Sequence, residues 1–305
     1  MRFISEAESA SVISHEMAYE AIAAALAAVG EPRTANFPVV LGHGSLDVNR
    51  FTVKAAATSE LTGLKIGSYW PGNLDMGLPR HNSLILLFDQ KLGRISVAIE
   101  AGLVNAYRTA AADAVAADLL ARPDAEVLAI FGAGHQAFYE CAAIARIRPL
   151  KRIMVVARDA DKAGSLAAKL RSAGMPAKVA DKKEACRASD IIVTATNSNE
   201  PLFETEWVRP GTHIASMGSD AIGKQELPVD LFPEGNLFCD LPEQSRRIGE
   251  FQHAGASATL TPLGDVIARR HLGRRSREEI TIFDSSGLSV QDLYIAQHIV
   301  RALSR

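Results

Sequence analysis

The first third of the chain combines one helical pattern with several short strand patterns. Ser14 can cap a helix with apolar positions at helical spacing, and Gly30 and Pro32 end it. We predict strands for the short apolar runs at 51–57, 64–69, 84–88 and 95–100. The last two flank a glycine-containing loop, which is typical of a hairpin. The alanine-rich stretch 105–121 predicts a long helix, so this region is α+β.

From residue 126 onward, buried strands alternate with helical or loop stretches. The apolar runs lie at 127–131, 153–157, 191–195, 214–217 and 237–240. Such alternation is typical of a parallel, doubly wound sheet. The tail over 288–303 is again helical, and we expect it to fold back on the first region. The sequence thus predicts an α/β protein in which a Rossmann dinucleotide-binding domain (116–287) is inserted into an α+β domain (1–115 plus 288–305).

Composition narrows the classes of function. The chain has 305 residues, which suits two domains, and its net charge of −2 gives no electrostatic reason to bind nucleic acid or an anionic membrane. Cys141, Cys186 and Cys239 are far apart, so we expect reduced thiols rather than disulfides or a zinc site. No apolar run approaches the ~20 residues of a membrane span, and the N-terminus lacks a signal-peptide pattern. We therefore expect a cytoplasmic protein with no metal, no nucleic-acid partner and no membrane partner.

The sharpest local motif follows the apolar run at 127–131 and precedes a helical stretch. It reads Gly132-Ala133-Gly134-His135-Gln136-Ala137, a GxGxxA sequence in the context of a dinucleotide-binding fingerprint. Gly132 permits the tight turn, Gly134 lets the backbone approach a pyrophosphate, and the helix N-terminus offers its N–H groups to the phosphates. A glycine-rich turn can also be purely conformational. The flanking strand and helix favour a nucleotide cofactor bound by these six residues.

The end of the second strand of this domain bears on the choice of cofactor. An acidic residue there binds the ribose hydroxyls of NAD, whereas an arginine accommodates the 2′-phosphate of NADP. Arg158 occupies the strand end and Asp159 follows it. The pattern therefore fits NADPH or NADH, with a lean towards NADPH. The alternative for Arg158 is a solvated loop residue.

Several short motifs are spread in order over nearly the whole chain. They are Leu64-Lys65-Ile66 with Tyr69-Trp70-Pro71-Gly72-Asn73, Ala106-Tyr107-Arg108-Thr109-Ala110-Ala111, the 132–137 loop, Met217-Gly218-Ser219-Asp220 with Gly223-Lys224-Gln225-Glu226-Leu227, and Ile282-Phe283-Asp284-Ser285-Ser286-Gly287. Together they resemble the ornithine cyclodeaminase/mu-crystallin family. The resemblance implies a homodimer whose N-terminal domain, completed by the C-terminal helix, binds a small α-imino or amino acid and pairs the subunits. It also implies a nicotinamide cofactor on the inserted domain.

The resemblance further implies roles for particular residues. Lys65, Arg108 and Arg33 match positions that grip the substrate carboxylate, and Asp220 matches an aspartate that acts as acid/base and binds the substrate amine. Lys65 interrupts an apolar strand and Arg108 an alanine-rich helix, where a charge is costly unless it faces a cleft. The alternative for Arg108 is an ordinary surface arginine, and the alternative for Asp220 is an aspartate that only shapes a turn. A desolvated Lys65 could also donate the imine proton.

More residues are assigned to the two ligands. Because strand ends face the ligand crevice of such a sheet, we expect cofactor contacts from Thr194, Ala195, Thr196, Gly218, Ser219, Ser285 and Gly287. His81 could line the substrate cleft, although a lone histidine is more often structural. Strand alternation puts Thr52 and Lys54 on one face. If that face is the cleft, Lys54 repels a second amine and welcomes a second carboxylate.

These observations favour an NAD(P)H-dependent reductase of a small α-imino acid, equally an amino-acid dehydrogenase in reverse. Lys54 favours a substrate with an acidic or neutral side chain; iminosuccinate is one candidate and a cyclic imine another. Two alternatives stay open: an ornithine cyclodeaminase that releases ammonia with bound NAD, and a non-catalytic, crystallin-like ligand-binding protein. The non-catalytic alternative ranks lower because Lys65 and Asp220 are both present.

Overall fold

The computed structural model describes residues 1–304. The contacts between residues divide the chain into two compact units. The first unit comprises Met1–Arg108 together with the C-terminal segment from Leu288, and the second comprises Thr109–Gly287. The division falls inside one long helix, Gly102–Leu120.

The strands of the described chain form one sheet in each unit. In the first unit they are β1 (Arg2–Ile4), β2 (Ala35–Asn36), β3 (Val40–His43), β4 (Arg50–Ala57), β5 (Thr62–Tyr69), β6 (His81–Phe88) and β7 (Ile95–Glu100). In the second unit they are β8 (Val127–Phe131), β9 (Arg152–Val156), β10 (Ala177–Val179), β11 (Ile191–Thr194), β12 (His213–Ser216), β13 (Gly235–Cys239), β14 (Leu260–Pro262) and β15 (Ile280–Asp284).

Helices connect and cover these strands. The α-helices are α1 (Glu6–Val12), α2 (His15–Ala28), α3 (Gly102–Leu120), α4 (His135–Ile147), α5 (Ala160–Ser172), α6 (Lys182–Ala188), α7 (Pro242–Ile248), α8 (Leu263–Ile267) and α9 (Ser289–Ala302). Short 3-10 helices lie at Pro71–Met76, Thr205–Trp207, Val229–Glu234 and Glu250–His253.

The predicted elements of the first unit are present, with additions. The helix predicted after Ser14 is α2, and the Ser14 hydroxyl accepts a hydrogen bond from the Met17 N–H at 3.1 Å. The four predicted strands are β4 to β7. The hydrophobic pattern misses β1, β2, β3 and α1, because elements this short hold too few residues to show a period. α1 begins with a local signal instead, a capping box between Ser5 and Glu8.

The first sheet is largely antiparallel and is covered by the C-terminal helix α9. Its strands run in the order β1-β7-β6-β5-β4, and β2 and β3 both pair with the outer edge of β4. All neighbours are antiparallel except β1 and β7. α9 packs on this sheet and against α2. Gly63 permits close packing on both sides, since a Cβ there would clash with the Leu86 oxygen on β6 and lie 2.8 Å from a Leu293 methyl group on α9.

The second sheet confirms the predicted α/β class. Its strands are all parallel, in the order β10-β9-β8-β11-β12-β15-β13-β14. The five predicted strands are β8, β9, β11, β12 and β13. The hydrophobic pattern misses β10 and β14, which are three residues long, and β15, whose run includes Thr281 and Asp284. The carboxyl ends of β8, β11, β12 and β15 lie along one edge of the sheet, so the loops that follow them are neighbours.

Candidate functional site

Two lysines lie in the buried part of the first sheet. The strand register places Lys54 on β4 directly opposite Lys65 on β5, in one row with the core residues Ile85 and Ile99. The two lysines are only 8% and 5% exposed. Ammonium groups at this depth lose hydration and repel each other, so they need polar or anionic partners.

Arg108 brings a third cation to the same place. It lies on α3, whose first two N–H groups donate to the Glu6 carboxylate at 2.8 and 2.7 Å. The side-chain oxygen of Asn105 accepts from Lys65 Nζ at 2.9 Å and from Arg108 Nη2 at 2.8 Å. A single amide oxygen thus joins two of the predicted carboxylate-binding residues.

A buried carboxylate balances part of this charge. Asp292 on α9 forms ion pairs with Lys65 Nζ at 3.1 Å and with Arg108 Nε at 3.4 Å. Sequence reasoning missed Asp292, although an acid among the buried positions of a C-terminal helix is a usable signal. We call Lys54, Lys65, Arg108 and Asp292 the cation cluster. Three cations and one carboxylate leave an excess of positive charge, which suits an anionic ligand.

The cation cluster changes the titration of Lys65. Burial and the neighbouring Arg108 guanidinium lower the pKa of the Lys65 ammonium to about 7, and the Asp292 carboxylate opposes that decrease. The charge of Lys54 also contributes to the lowering of the Lys65 pKa to this value. A side chain with a pKa near 7 can hold and release a proton in neutral solution.

Arg33 and His81 lie elsewhere in the first unit. Arg33 is exposed in the segment after α2, where it lines a cavity of about 270 Å³ that Tyr294 also lines. His81 is exposed at the start of β6, with its ring centroid 4.7 Å from that of Tyr69. His81 shares a sheet face with Lys65, because Tyr69 and His81 are paired in register and Lys65 lies four residues before Tyr69.

The 132–137 loop links β8 to α4 in the second unit. Gly132 has a φ of +119°, and a Cβ there would lie 2.5 Å from the Ala195 oxygen. Nothing in the described chain lies within 4 Å of a Cβ built at Gly134, the N-cap of α4, and no described side chain caps this helix. Ala137 is fully buried. The first N–H groups of α4 are therefore open to an anion, which fits the pyrophosphate of a dinucleotide.

The side chains of His135 and Gln136 contact their own helix. Gln136 Nε2 donates to Glu140 Oε1 at 2.7 Å, and the His135 ring centroid lies 4.9 Å from that of Tyr139. Ala133 is half-buried in the turn before them. These residues can thus offer a phosphate their backbone N–H groups, while the two side chains stabilise α4.

Arg158 and Asp159 differ in their surroundings at the end of β9. The Asp159 carboxylate caps α5, accepting from the N–H groups of Asp161 and Lys162 at 3.1 Å each. Arg158 is exposed. The cap of α5 thus engages one oxygen of the acid that could bind ribose hydroxyls, whereas the exposed Arg158 guanidinium could meet a 2′-phosphate.

Glu226 joins the loops that follow β11 and β12. Its carboxylate accepts from the Thr194 hydroxyl and from both the N–H and the hydroxyl of Thr196, each at 2.7 Å, and from the Gly218 N–H at 2.9 Å. Thr194 is fully buried, and its hydroxyl supports this loop; its predicted cofactor contact stays a prediction. Sequence reasoning missed the role of Glu226, because its partners come from two other loops.

Glu226 is itself held by a second buried acid. Glu250 accepts from the N–H groups of Glu226 at 3.0 Å and Leu227 at 2.7 Å. Burial raises the pKa of Glu250 to about 7, and the charge of Glu226 contributes to that increase. The two acids fix the loops containing the predicted cofactor residues Ala195, Thr196 and Gly218.

The loop after β15 is fixed by a buried aspartate. Asp240 accepts from the Ser286 hydroxyl at 2.8 Å and from the Gly287 N–H at 2.7 Å. Burial, together with the charge of Asp240, raises the pKa of the neighbouring Asp284 well above its usual range. Ser285 is buried, and its hydroxyl has no hydrogen-bond partner among residues 1–304. That hydroxyl is available to a ligand.

Asp220 lies exposed in the loop after β12. Lys224 Nζ lies 2.6 Å from Asp220 Oδ1 and donates to the Gly218 oxygen at 3.0 Å, so one lysine braces this loop. Ser219 is buried, and its hydroxyl donates to the Lys224 oxygen at 3.3 Å. The predicted acid/base thus belongs to the second unit, beside predicted cofactor residues.

Two further features concern metals and membranes. Within residues 1–304, no group of three or more His, Cys, Asp or Glu side chains is arranged to hold a metal ion. No helix in that part of the chain is both long and apolar enough to cross a membrane.

Comparison with known proteins points to one family. A model of the ornithine cyclodeaminase/mu-crystallin family matches residues 1–304. The iminosuccinate reductase of Paracoccus denitrificans (strain Pd 1222) is 37% identical to this chain over 315 residues, which cover 98% of this chain and 96% of that protein. The crystal structure of a P. denitrificans iminosuccinate reductase in complex with NAD+ matches with a TM-score of 0.94 and 35% identity, covering 100% of this chain and 96% of that one.

Two other solved structures are similar over the whole chain. An archaeal alanine dehydrogenase dimer with bound NAD has a TM-score of 0.92 and 32% identity, covering 99% of this chain and 96% of that one. The Delta(1)-pyrroline-2-carboxylate reductase of Thermococcus litoralis, in complex with NADH and L-proline, has a TM-score of 0.91 and 26% identity, covering 100% and 98% of the two chains. Each of these three solved structures holds a nicotinamide cofactor.

Proposed function

Since this chain belongs to the ornithine cyclodeaminase/mu-crystallin family, we propose that it is an NAD(P)H-dependent reductase of a small α-imino acid. The reverse reaction oxidises an α-amino acid, so the enzyme is equally an amino-acid dehydrogenase. The observation that carries this proposal is the buried cation cluster, in which Lys65 and Arg108 meet around Asn105. The names of the relatives, reductases and a dehydrogenase of such acids, support it.

Arg108 and Lys65 bind the substrate carboxylate in this proposal. A guanidinium offers several N–H donors to a carboxylate, and charge-assisted hydrogen bonds contribute roughly 1.5–3 kcal/mol each. Asn105 and Asp292 already hold both cations in place, so binding costs little further side-chain freedom. An acid anchored in this way presents its imine carbon in a fixed orientation, which hydride transfer requires.

The cofactor is bound by the second unit in this proposal. The open N-terminus of α4 takes the pyrophosphate, and the Ser285 hydroxyl, which has no partner among the described residues, is available to the nicotinamide end. When bound, a reduced nicotinamide supplies the hydride. Arg158 favours NADPH, whereas the NAD+ or NADH in the structures of relatives favours NADH, so both cofactors belong in the test.

Reduction of the imine also needs a proton on its nitrogen. Lys65 is the proposed donor, because its pKa of about 7 leaves a large protonated fraction that can still release the proton. Asp220 is proposed to bind the substrate amine and to act as a second acid/base. Its ion pair with Lys224 must then open or be shared when substrate binds.

Lys54 narrows the class of substrate. It lies opposite Lys65 on the same sheet face, so a second positive charge is next to the one proposed to hold the α-carboxylate. Such a site favours a second carboxylate and disfavours the second amine of ornithine or lysine. We therefore propose a dicarboxylic imino acid, with iminosuccinate as the leading candidate.

A homodimer is proposed for the active protein. The sheet face opposite the cation cluster presents a row of partly exposed apolar side chains that includes Val53, Ile66 and Leu84. An apolar patch of this kind marks an interaction surface, and an archaeal alanine dehydrogenase of the same fold is a dimer. The first unit is thus proposed to bind substrate on one face of its sheet and to pair the subunits through the other.

The proposed function is tested with a panel of imines and both cofactors. Pyruvate or oxaloacetate with ammonium, pyrroline-2-carboxylate and ornithine are each mixed with the enzyme, and cofactor oxidation is followed by stopped-flow absorbance. We expect NADH or NADPH to be oxidised fastest with oxaloacetate and ammonium. Release of ammonia from ornithine with only catalytic NAD would instead identify a cyclodeaminase, and no turnover with any imine would favour a ligand-binding protein.

A further inference from the structure

The proton donor of the proposed reaction is held by a residue on the C-terminal helix. We propose that Asp292 is a positioning residue, which keeps the Lys65 ammonium and the Arg108 guanidinium together in one buried site so that Lys65 stays able to donate its proton. This inference rests on the proposed function, since it names the residue that prepares Lys65 for that reaction.

The contacts of Asp292 fit this role. One of its oxygens, Oδ1, lies 3.1 Å from Lys65 Nζ and 3.4 Å from Arg108 Nε, and the Asp292 side chain is 2% exposed. The helix that carries it is tied to the same strand pair, because the Ser289 hydroxyl donates to the Lys54 oxygen at 2.9 Å. The carboxylate is therefore held within ion-pair distance of both cations.

The charges around Lys65 show why this carboxylate is needed. Lys54 faces Lys65 from β4, Arg108 from α3 and Asp292 from α9, whereas the neighbour on β6 is the apolar Ile85. Without Asp292, three cations would face one another out of water. An arginine does not release its proton in proteins, so the repulsion would be relieved by loss of the proton from a lysine.

In the reaction, Asp292 itself neither gives nor takes a proton. As the hydride reaches the imine carbon, Lys65 Nζ gives one proton to the imine nitrogen, so that the C=N bond becomes a C–N bond with one new C–H and one new N–H. Lys65 is left as a neutral amine and regains a proton from water. Asp292 sets the pH range in which Lys65 is protonated before the reaction starts.

The direct test is the titration of Lys65 in the intact protein. Lysines labelled with ¹³C at Cε are followed by NMR against pH, and the Lys65 signal is assigned by its absence in Lys65→Arg. In Asp292→Asn we expect the Lys65 pKa to fall by about one to three pH units. In Asp292→Glu it should stay close to the wild-type value. Asp75→Asn, which removes an exposed carboxylate of the same unit, should leave it unchanged.

Kinetics give a second readout that a purely structural role would not move. Lys65 must be protonated to donate, so kcat/KM for the imine falls on the alkaline side of its pKa. In Asp292→Asn that alkaline limb should move to lower pH by the same amount as the NMR titration. The inference would be overturned if Asp292→Asn lowered the maximum of kcat/KM without shifting the alkaline limb of its pH profile and left the Lys65 pKa unchanged.

The two proposals fail separately. If no imine is reduced, the proposed function fails, while the NMR titration still decides what Asp292 does to Lys65. If Asp292→Asn does not fold, the wild-type titration decides: a Lys65 pKa between about 6 and 9 supports the inference. A wild-type pKa below about 6 or above about 9 contradicts it, because Lys65 would then not be a protonated donor that releases its proton near neutral pH.

Discussion

At the scale of single residues, the cation cluster shows how buried charge is made tolerable. An isolated ion taken out of water costs several kcal/mol, yet Lys54, Lys65 and Arg108 are all buried. The hydrogen bonds to Asn105 and the ion pairs with Asp292 offset part of the cost of burying these ions, but an excess of positive charge remains. A substrate carboxylate would complete the balance, so the same residues that are costly in the free protein become favourable when the substrate binds.

The first residue-scale prediction concerns Lys54 and the second carboxylate. Lys54→Gln keeps a polar side chain but removes its charge. We expect kcat/KM for a dicarboxylic imino acid to fall about ten-fold or more, because one charge-assisted contact is lost, while the value for a monocarboxylic imino acid changes less than about three-fold. Lys91→Gln, in an exposed hairpin loop, is the matched control. An equal decrease in kcat/KM for both substrates would show that Lys54 does not bind the second carboxylate.

The second residue-scale prediction concerns Arg158 and the cofactor. Because Asp159 is engaged as the cap of α5, Arg158 should be the residue that meets a 2′-phosphate. Arg158→Ala is expected to lower kcat/KM for NADPH about ten-fold and to change that for NADH little. Arg152→Ala, at the other end of β9, serves as the control. If both cofactors are affected equally, Arg158 does not select between them.

The sequence predicted some of these residues and not others for a physical reason. Lys65 and Arg108 are conspicuous locally, since each is a charge in an apolar or alanine-rich run. Asp292 and Glu226 acquire their roles only through partners distant in the chain, such as Lys65 for Asp292 and Thr194 for Glu226. A local pattern contains no information about such partners.

At the scale of elements, the second unit buries one acid on each of two helices. Asp113 on α3 and Glu140 on α4 are both fully buried. Burial raises the pKa of Asp113 to about 7, and its interaction with Glu140 opposes that increase. The contact between α3 and α4 is therefore sensitive to pH.

This acid pair predicts how stability depends on pH. Between the ordinary value of 3.8 and about 7, folded Asp113 keeps a proton that the unfolded chain has lost, so its contribution to stability falls as the pH rises through that window. Asp113→Asn supplies an N–H donor to Glu140 and removes the dependence. We expect the variant to gain stability relative to wild type by more than about 1 kcal/mol on going from pH 5 to pH 8. Denaturant unfolding at both pH values measures it, with exposed Glu206→Gln as the control. A difference that is the same at both pH values would contradict this origin.

Elements themselves were predictable to different degrees. The long helix α3 follows from its alanine-rich composition, and the five strands β8, β9, β11, β12 and β13 follow from short apolar runs. The central strand β15 does not, since polar residues interrupt its short run, and its place between β12 and β13 depends on long-range pairing. The fold class was therefore predicted correctly although one interior strand was missed. The order of the strands in the sheet cannot be predicted from the hydrophobic pattern.

At the scale of the whole molecule, the exposed apolar face of the first sheet predicts an assembly. Ile66 lies between Val53 and Leu84 in the register and is 38% exposed. Ile66→Asp would bury a charge in the proposed subunit interface, so we expect it to convert a dimer into a monomer in sedimentation velocity. Leu272→Asp, at an isolated leucine that is 83% exposed, should leave the dimer intact. A wild-type monomer, or an unaffected Ile66→Asp dimer, would place the interface elsewhere.

In the proposed reaction, an acid anchored by the cation cluster receives a hydride on its imine carbon. The most direct measurement is a single turnover of oxaloacetate and ammonium with cofactor deuterated at C4, with the product examined by mass spectrometry. We expect aspartate with one deuterium on its α-carbon from the wild-type enzyme and a greatly reduced yield from Arg108→Gln. Deuterium in malate in place of aspartate, or full transfer by Arg108→Gln, would contradict the proposed reaction.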